Sequence, residues 1–131
     1  MGAKLNSKSF TSKCVTFQEV DGVVMVGFAD DEFNTNQYVL LQRTLQPDEH
    51  DRSLGWDIVH LQVDSPDQSG YDSIKNIRVT LSGIRIELTS EALSVFNCSD
   101  VDIAFDIDGD RYSDLLAQLK HVVDECTPLT V

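Results

Sequence analysis

The chain has 131 residues, of which 41% are hydrophobic and 24% are charged, the composition of an ordinary globular domain. A chain of this length buries roughly two thirds of its unfolded surface and needs neither disulfides nor metals to fold. No apolar stretch approaches the ~18 residues that span a bilayer, and no apolar run follows the basic N-terminus as it does in a secretory signal. We therefore expect a cytoplasmic protein without a membrane partner.

The net charge of −12 limits the partners that the chain can attract. An acidic surface repels the phosphates of nucleic acids and favours cations or basic proteins, so we predict no nucleic-acid partner. Residues 1–13 hold three of the ten basic residues and are rich in serine, and we predict a polar, flexible tail there. Residues 14–131 then form a single acidic globular domain. The alternative interpretation is that the acidity serves solubility alone.

The three cysteines, Cys14, Cys98 and Cys126, lie far apart along the chain and have neither a CxxC spacing nor a neighbouring histidine. Free cysteine packs in proteins as a small hydrophobic residue. We therefore interpret all three as buried thiols, and we predict neither a metal nor a cofactor.

The first half of the chain predicts antiparallel strands separated by polar connections. Its β-rich runs lie at residues 14–20, 23–29, 38–44 and 56–63. Asp21-Gly22, between the first two runs, is a strong signal for a two-residue hairpin turn. Pro47 ends the third run because proline lacks the backbone N–H that a strand needs. Residues 46–55 and 64–72 are charged or polar and are predicted to be loops.

The second half predicts a further hairpin, one more strand and two helices. Residues 74–81 and 84–88 alternate apolar and polar side chains around Ser82-Gly83, as in a hairpin with one buried face. A short helix is predicted near residues 90–96, followed by a strand at 101–107 and an amphipathic helix at 112–126. The predicted fold class is α+β, a mostly antiparallel sheet of six or seven strands with the C-terminal helix packed on it.

Asp106, Asp108 and Asp110 have the spacing with which a calcium-binding loop begins. Such a loop also needs glycine at its sixth position and a bidentate glutamate at its twelfth. Arg111 and Ala117 occupy those positions, and a predicted strand precedes the loop where a helix is required. We therefore interpret Asp108 and Asp110 as a turn and a helix start, and we predict no metal site.

A second polar group, His50, Asp51, Asp57 and His60, has the residue types used in acid–base and metal catalysis. Asp57 and His60 are three residues apart on a predicted strand, so their side chains point to opposite faces. No serine-nucleophile motif, glycine-rich phosphate loop or HExxH motif occurs in the sequence. We predict no catalytic residues, and a metal-binding hydrolytic enzyme with clustered carboxylates is the less favoured alternative.

Acidic residues cluster between residues 30 and 72, where ten acidic side chains are accompanied by two basic ones, Arg43 and Arg52. Most of these acidic residues lie in predicted loops. If the loops gather at one end of the sheet, they form a single negative surface. A lone tryptophan often marks a binding hot spot, but the position of Trp56 at a predicted strand start favours core packing.

Six segments of the chain follow one another in a recognisable order. They are FADDE at 28–32, YVLLQRT at 38–44, DEHDRSLGWDIVHLQV at 48–63, SGYDSI at 69–74, the hairpin at 77–88 and VDIAFDIDGDRYSDLLAQLKHVV at 101–123. In these segments the chain resembles the Imm10 family of predicted immunity proteins, which occur beside toxin genes in bacterial polymorphic toxin systems. The family pattern has a glycine where this chain has Asp72.

The resemblance implies a small intracellular protein that binds and neutralises a cognate toxin and has no catalytic activity of its own. A toxin that acts on nucleic acid carries a basic groove, so the predicted partner is a basic toxin domain. A small structural or interaction domain, which would expose a large apolar patch, is the other alternative. The candidate toxin-binding residues are Asp30, Asp31, Glu32, Asp48, Glu49, Asp51, Trp56, Asp64 and Asp67.

Millimolar calcium is predicted to leave the thermal stability unchanged, because Arg111 and Ala117 replace the glycine and the glutamate of a calcium loop. A ligand at about a hundred times its dissociation constant adds about 2.7 kcal/mol to the free energy of unfolding. Thermal melts in calcium and in chelator should therefore coincide. A rise of several degrees in calcium would contradict this interpretation.

Overall fold

The computed structural model describes residues 7–123 and 127–131, which form two five-stranded sheets and three helices. The helices are α1 (Glu49–Ser53), α2 (Leu93–Phe96) and α3 (Gly109–Val122). The α+β class predicted from the sequence is confirmed, although the described residues form ten strands where six or seven were predicted. The strands are β1 (Ser7–Thr11), β2 (Cys14–Val20), β3 (Val23–Ala29), β4 (Tyr38–Thr44), β5 (His60–Val63), β6 (Ser65–Tyr71), β7 (Ile74–Thr80), β8 (Gly83–Leu88), β9 (Asp100–Ala104) and β10 (Leu129–Thr130).

Strands β2 to β6 form one sheet in chain order, with every neighbouring pair antiparallel; we call it the meander sheet. The predicted hairpin turn is confirmed, because Asp21 and Gly22 have φ angles of 53° and 77°, as a type I′ turn requires. Strand β5 begins at His60, four residues later than predicted, because the charged connection before it forms α1 and a turn. Residues 65–71, predicted to be a loop, form the edge strand β6, which needs no apolar alternation.

The second sheet has the strand order β1-β9-β8-β7-β10, and we call it the mixed sheet. The predicted β7–β8 hairpin is confirmed, and Ile77, Val79, Ile84 and Ile86 lie on its buried face. Its two-residue turn is Leu81-Ser82 and not the predicted Ser82-Gly83, because Gly83 already pairs with Thr80 as the first residue of β8. The two edge strands pair in parallel, β1 with β9 and β10 with β7. The first and the last described strands, β1 and β10, therefore form the two edges of the mixed sheet, and the consecutive strands β7, β8 and β9 form its centre.

Strand β1 lies in the segment that the sequence predicted to be a flexible tail, and the prediction does not hold for residues 7–11. Phe10 is buried in the core, and the hydroxyl of Ser7 donates a 2.7 Å hydrogen bond to the carboxylate of Asp100. Beyond the strand, Ser12 is buried and its hydroxyl donates to the carbonyls of Cys14 and Ala29. One apolar side chain and the backbone pairing thus fix a segment of polar composition. Residues 1–6 of the predicted tail lie outside the described residues.

Apolar side chains from both sheets and from α3 form one core. On β3, Val24, Val26 and Phe28 alternate with half-buried residues, so one strand face lies wholly in the core. Helix α3 packs against β3 and β4. Phe28 also stacks on Phe105, which directly follows β9, with 6.2 Å between the ring centroids. This contact joins the meander sheet to the mixed sheet.

Two arginines attach α3 to the meander sheet. Arg43 on β4 donates hydrogen bonds to the carbonyls of His121 and Val122, at 2.7 and 3.0 Å. These carbonyls belong to the last turn of the helix, which has no intrahelical donors for them. At the other end, Arg111 donates to the carbonyl of Val15, and its guanidinium lies 4.2 Å from the ring centroid of Phe17. Both ends of the helix are thereby held to the sheet.

The remaining sequence predictions concern helix bounds and cysteines. Helix α2 is confirmed, and α3 begins at Gly109, three residues before the predicted start. Cys98 is buried as predicted, whereas Cys14 is only half-buried. Cys126 and the predicted helix end at 124–126 lie outside the described residues.

Replacing Phe105 or Leu119 by alanine should lower the free energy of unfolding by about 2–5 kcal/mol, because both side chains are buried in the shared core. Asp106→Ala should cost less than about 1 kcal/mol, because Asp106 is exposed. Urea melts of the three variants test these values. Equal losses in all three variants would show that the assignment of buried and exposed positions is wrong.

A second stability measurement tests whether β1 belongs to the fold. Phe10→Ala should cost roughly 2–5 kcal/mol, as expected for a buried aromatic side chain. Ser9→Ala, the control on the same strand, removes an exposed hydroxyl and should change stability by less than about 0.5 kcal/mol. If Phe10→Ala melts at the same urea concentration as the wild type, residues 7–11 do behave as a tail.

Candidate protein-binding surface

The ten acidic residues between residues 30 and 72 lie at two opposite ends of the meander sheet. Loops of an antiparallel meander alternate between its ends, and a seven-residue strand such as β4 separates them by about 20 Å. The condition for a single negative surface is therefore not met. One end, which we call the β3–β4 rim, carries Asp30, Asp31, Glu32, Asp64 and Asp67. The other end, the α1 rim, carries Asp48, Glu49, Asp51, Asp57 and Asp72.

Three carboxylates of the β3–β4 rim organise the backbone around them. Asp31 accepts hydrogen bonds from the backbone N–H groups of Asn34 and Phe33, and these bonds lower the pKa of its carboxyl group. Asp30 accepts one from the backbone N–H of Asn36. Asp64, which has a positive φ of 64°, accepts one from the backbone of Tyr38. It also pairs with Lys8. Only Glu32 and Asp67 on this rim lack a partner within the described residues.

At the α1 rim, Asp48 and Asp51 cap the start of α1. The carboxylate of Asp48 accepts a 2.8 Å hydrogen bond from the backbone of Asp51, and that of Asp51 accepts a 3.1 Å bond from the backbone of Asp48. This reciprocal capping box satisfies backbone donors that the helix leaves open. It also explains why a five-residue helix forms in a segment that was predicted to be a loop. Glu49 and Asp72 are exposed on the same rim.

The outer face of the meander sheet, which lies between the two rims, carries no charged side chain on strands β2 to β5. Its residues alternate with the core residues and are mostly half-buried. One row across the sheet runs from Gln18 through Met25 and Gln42 to His60 and Tyr71. A neighbouring row consists of Thr16, Gly27, Leu40, Gln62 and Ser69. The face therefore presents apolar groups, amides and hydroxyls.

Four rings, those of His50, Trp56, His60 and Tyr71, gather at the β5–β6 side of this face, and we call them the aromatic cluster. The rings of Trp56 and Tyr71 stack with 6.5 Å between centroids, and His60 contacts Tyr71 edge-on at 4.8 Å. His50 packs edge-on against Trp56 at 5.9 Å. Trp56 is 41% exposed and Tyr71 is 37% exposed, so the prediction of core packing for Trp56 is wrong. Trp56 follows α1 in a turn and is not part of β5.

The aromatic cluster is uncharged at its centre. Burial lowers the pKa of His60, so its imidazole is neutral at pH 7, and its Nδ1 has no hydrogen-bond partner within the described residues. Burial, and after it the negative charge of Asp51, raises the pKa of the Tyr71 phenol, which therefore stays protonated. From the sequence, His50 and His60 were considered as catalytic or metal-binding residues and Trp56 as a toxin-binding residue, whereas Tyr71 was not singled out. His60 and Tyr71 meet through the β5–β6 register, which was missed because β6 was predicted to be a loop.

The outer face of the mixed sheet has a different character. Arg85 lies 3.3 Å from Asp100, 3.4 Å from Asp102 and 3.7 Å from Glu87, so its charge is shared among three carboxylates. Ser9 and Arg78 lie on the same face. This face is polar and partly neutralised by its own ion pairs, unlike the uncharged face of the meander sheet.

The side chains of the candidate catalytic group, His50, Asp51, Asp57 and His60, do not come together in one site. Asp57 lines an open cavity of about 640 Å³ together with Arg43, Arg52 and Lys120, whereas His60 lies in the aromatic cluster. The two residues are apart, as predicted, but Asp57 is in a turn and not on a strand. Within residues 7–123 and 127–131, no group of three or more His, Cys, Asp or Glu side chains could hold a metal ion.

The aspartate segment begins α3, as the sequence predicted. Asp108 is the N-cap, and its carboxylate accepts a 2.7 Å hydrogen bond from the backbone N–H of Arg111. Asp110 lies in the first turn, where its negative charge interacts favourably with the positive end of the helix dipole. Both residues therefore have structural roles at the start of the helix.

Comparison with known proteins identifies the family of the chain. A family model described as immunity protein 10 (Imm10) matches residues 11–113, from the end of β1 to the first turns of α3. No curated protein and no solved structure matches the chain. None of the helices in the described part of the chain is long and apolar enough to cross a membrane. Because the family match spans most of the chain, this protein belongs to the Imm10 family of immunity proteins.

Proposed function

We propose that this protein binds a cognate basic toxin domain in the cytoplasm and neutralises it by occupying its surface, without catalysis of its own. Membership of the Imm10 family is the observation that carries the proposal, because an immunity protein acts on a toxin. The net charge of −12 supports a basic partner. A toxin that binds nucleic acid presents the kind of basic groove that such a surface complements.

The acidic rims act mainly on the rate of association. Glu32, Glu49 and Asp67 are exposed and have no hydrogen bond or ion pair within the described residues, so their fields extend into solvent. Exposed charges of this kind steer a partner of opposite sign before contact, over roughly 8 Å at physiological ionic strength. The capping carboxylates of Asp31, Asp48 and other rim residues add to the same field while they hold the loops.

The alternative functions receive less support from the described residues. A hydrolytic enzyme would bring carboxylates together in a pocket, but the cavity beside Asp57 is lined by one acidic and three basic side chains. A structural domain would expose a broad apolar patch, but apart from the stacked pair Trp56 and Tyr71 the exposed large apolar residues, such as Phe33, Leu81 and Val95, lie on separate elements. A protein that binds a basic partner accounts for both the family and the charge.

The direct test of the proposed function is protection of cells. Expression of the toxin domain encoded beside the gene for this chain should stop growth, and co-expression of this chain should restore it. The two purified proteins should form a complex in size-exclusion chromatography. Absence of both protection and complex formation would overturn the proposal.

Neutralising the free rim carboxylates should slow association with that toxin domain. The variant Glu32→Gln, Glu49→Gln, Asp67→Asn keeps the capping aspartates and removes three negative charges. Its association rate constant should fall roughly threefold or more at low salt, while the dissociation rate constant changes by less than about twofold. The wild-type association rate should fall as salt is added, because salt screens the rims. Stopped-flow or surface-plasmon measurements at two salt concentrations check this.

A matched control removes the same charge elsewhere. The variant Glu91→Gln, Asp106→Asn, Asp114→Asn changes exposed residues that precede α2, follow β9 and lie on α3. Its association rate should stay close to that of the wild type. If both variants associate equally slowly, net charge and not the rims governs encounter. If neither variant associates more slowly and the association rate of the wild type does not depend on salt, the rims do not steer the toxin domain.

A further inference from the structure

We propose that the outer face of the meander sheet is the docking surface for the toxin, with Trp56 and Tyr71 supplying most of the binding energy. This inference rests on the proposed function and states which surface performs it. The partner that fits is a protein segment with an apolar centre between two basic groups about 20 Å apart. Three independent features of the face support this assignment.

The first feature is size. Five strands about 4.8 Å apart and seven residues rising about 3.3 Å each give a face of roughly 19 by 20 Å. That is about half of the ~800 Å² that each partner contributes to a stable complex. The two rims at its ends supply further contact area. A partner that forms an interface of ordinary size must therefore contact the rims as well as the face.

The second feature is the arrangement of charge. Specific interfaces have a centre depleted of charged residues and a polar rim. Here the outer face of strands β2 to β5 carries no charged side chain, whereas Glu32 and Asp67 at one end and Glu49 and Asp72 at the other are exposed carboxylates. A second copy of this chain would bring rims of the same sign together, which costs free energy. The charge therefore selects a basic partner over self-association.

The third feature is the rigidity of the two exposed aromatic side chains. Trp56 and Tyr71 stack on each other, and His50 and His60 pack against them edge-on. Tryptophan and tyrosine are enriched among residues that dominate binding energy. Side chains that are already held in place lose little conformational entropy on binding. The neutral state of His60 also avoids a positive charge that would repel a basic partner.

The test measures binding kinetics of the full chain with the toxin domain encoded beside its gene. Trp56→Ala and Tyr71→Ala should each raise the dissociation rate constant about tenfold or more, with the association rate constant within about threefold of the wild type. Tyr71→Phe retains the stacked ring and should lose little affinity. Gln42→Lys, which places a positive charge at the centre of the face, should weaken binding at least tenfold. Circular dichroism and thermal melts verify that each variant is folded.

Control variants remove apolar groups of similar exposure elsewhere. Leu81, in the β7–β8 turn, is 59% exposed and Val95, on α2, is 42% exposed. Leu81→Ala and Val95→Ala should leave both rate constants unchanged. If the wild type binds and all face variants behave like these controls, the docking surface is elsewhere while the proposed function stands.

Two further outcomes separate the remaining possibilities. If the wild-type chain does not bind the toxin domain at all, both the proposed function and the docking surface are overturned. If the free chain sediments as a dimer that Trp56→Ala or Tyr71→Ala dissociates, the face belongs to a second copy, which also overturns the docking surface. A monomeric free chain that binds the toxin through these residues supports the proposal.

Discussion

The inner face of β3 is the surface on which the rest of the structure depends. Val24, Val26 and Phe28 are almost fully buried there, and α3 packs directly against this strand. Phe28 also stacks on Phe105 and so joins the mixed sheet to the same core. Because the inner face of the meander sheet is committed to this packing, its outer face remains available to solvent. The core therefore determines which surface can receive a partner.

Many of the acidic residues have two roles at once. A carboxylate that caps a loop or a helix stabilises local structure through backbone N–H groups, and its remaining charge still contributes to the field of the rim. Asp31 and Asp48 illustrate this combination. Acidic composition alone therefore does not identify interface residues. The exposed carboxylates without partners, such as Glu32 and Glu49, are those whose removal tests function separately from stability.

Local signals in the sequence predicted the hairpins and α3, and they missed elements that depend on distant contacts. Asp21-Gly22 determines its turn through short-range backbone preferences, whereas the second hairpin turns at Leu81-Ser82, one residue before the predicted dipeptide. Strand β1 has one buried side chain, Phe10, and is formed by pairing with β9. The separation of the acidic loops could have been predicted from the sequence, because successive loops of an antiparallel meander lie at alternate ends of the sheet. The aromatic cluster could not have been predicted in this way, because it depends on the β5–β6 register that places His60 opposite Tyr71.

The parallel pairing of β1 with β9 has a consequence for how the chain folds. Ser7 on β1 donates a hydrogen bond to Asp100, 93 positions away, whereas each strand of the meander sheet pairs only with the strand before or after it in the chain. The meander sheet thus consists of strand pairs with low contact order. Pairing β1 with β9 in the mixed sheet instead closes a loop of about 90 residues, which costs more conformational entropy. During synthesis, β1 is made well before its partner β9, which lies about 90 residues further along the chain. Strand β1 therefore stays unpaired until residues 100–104 have been synthesised.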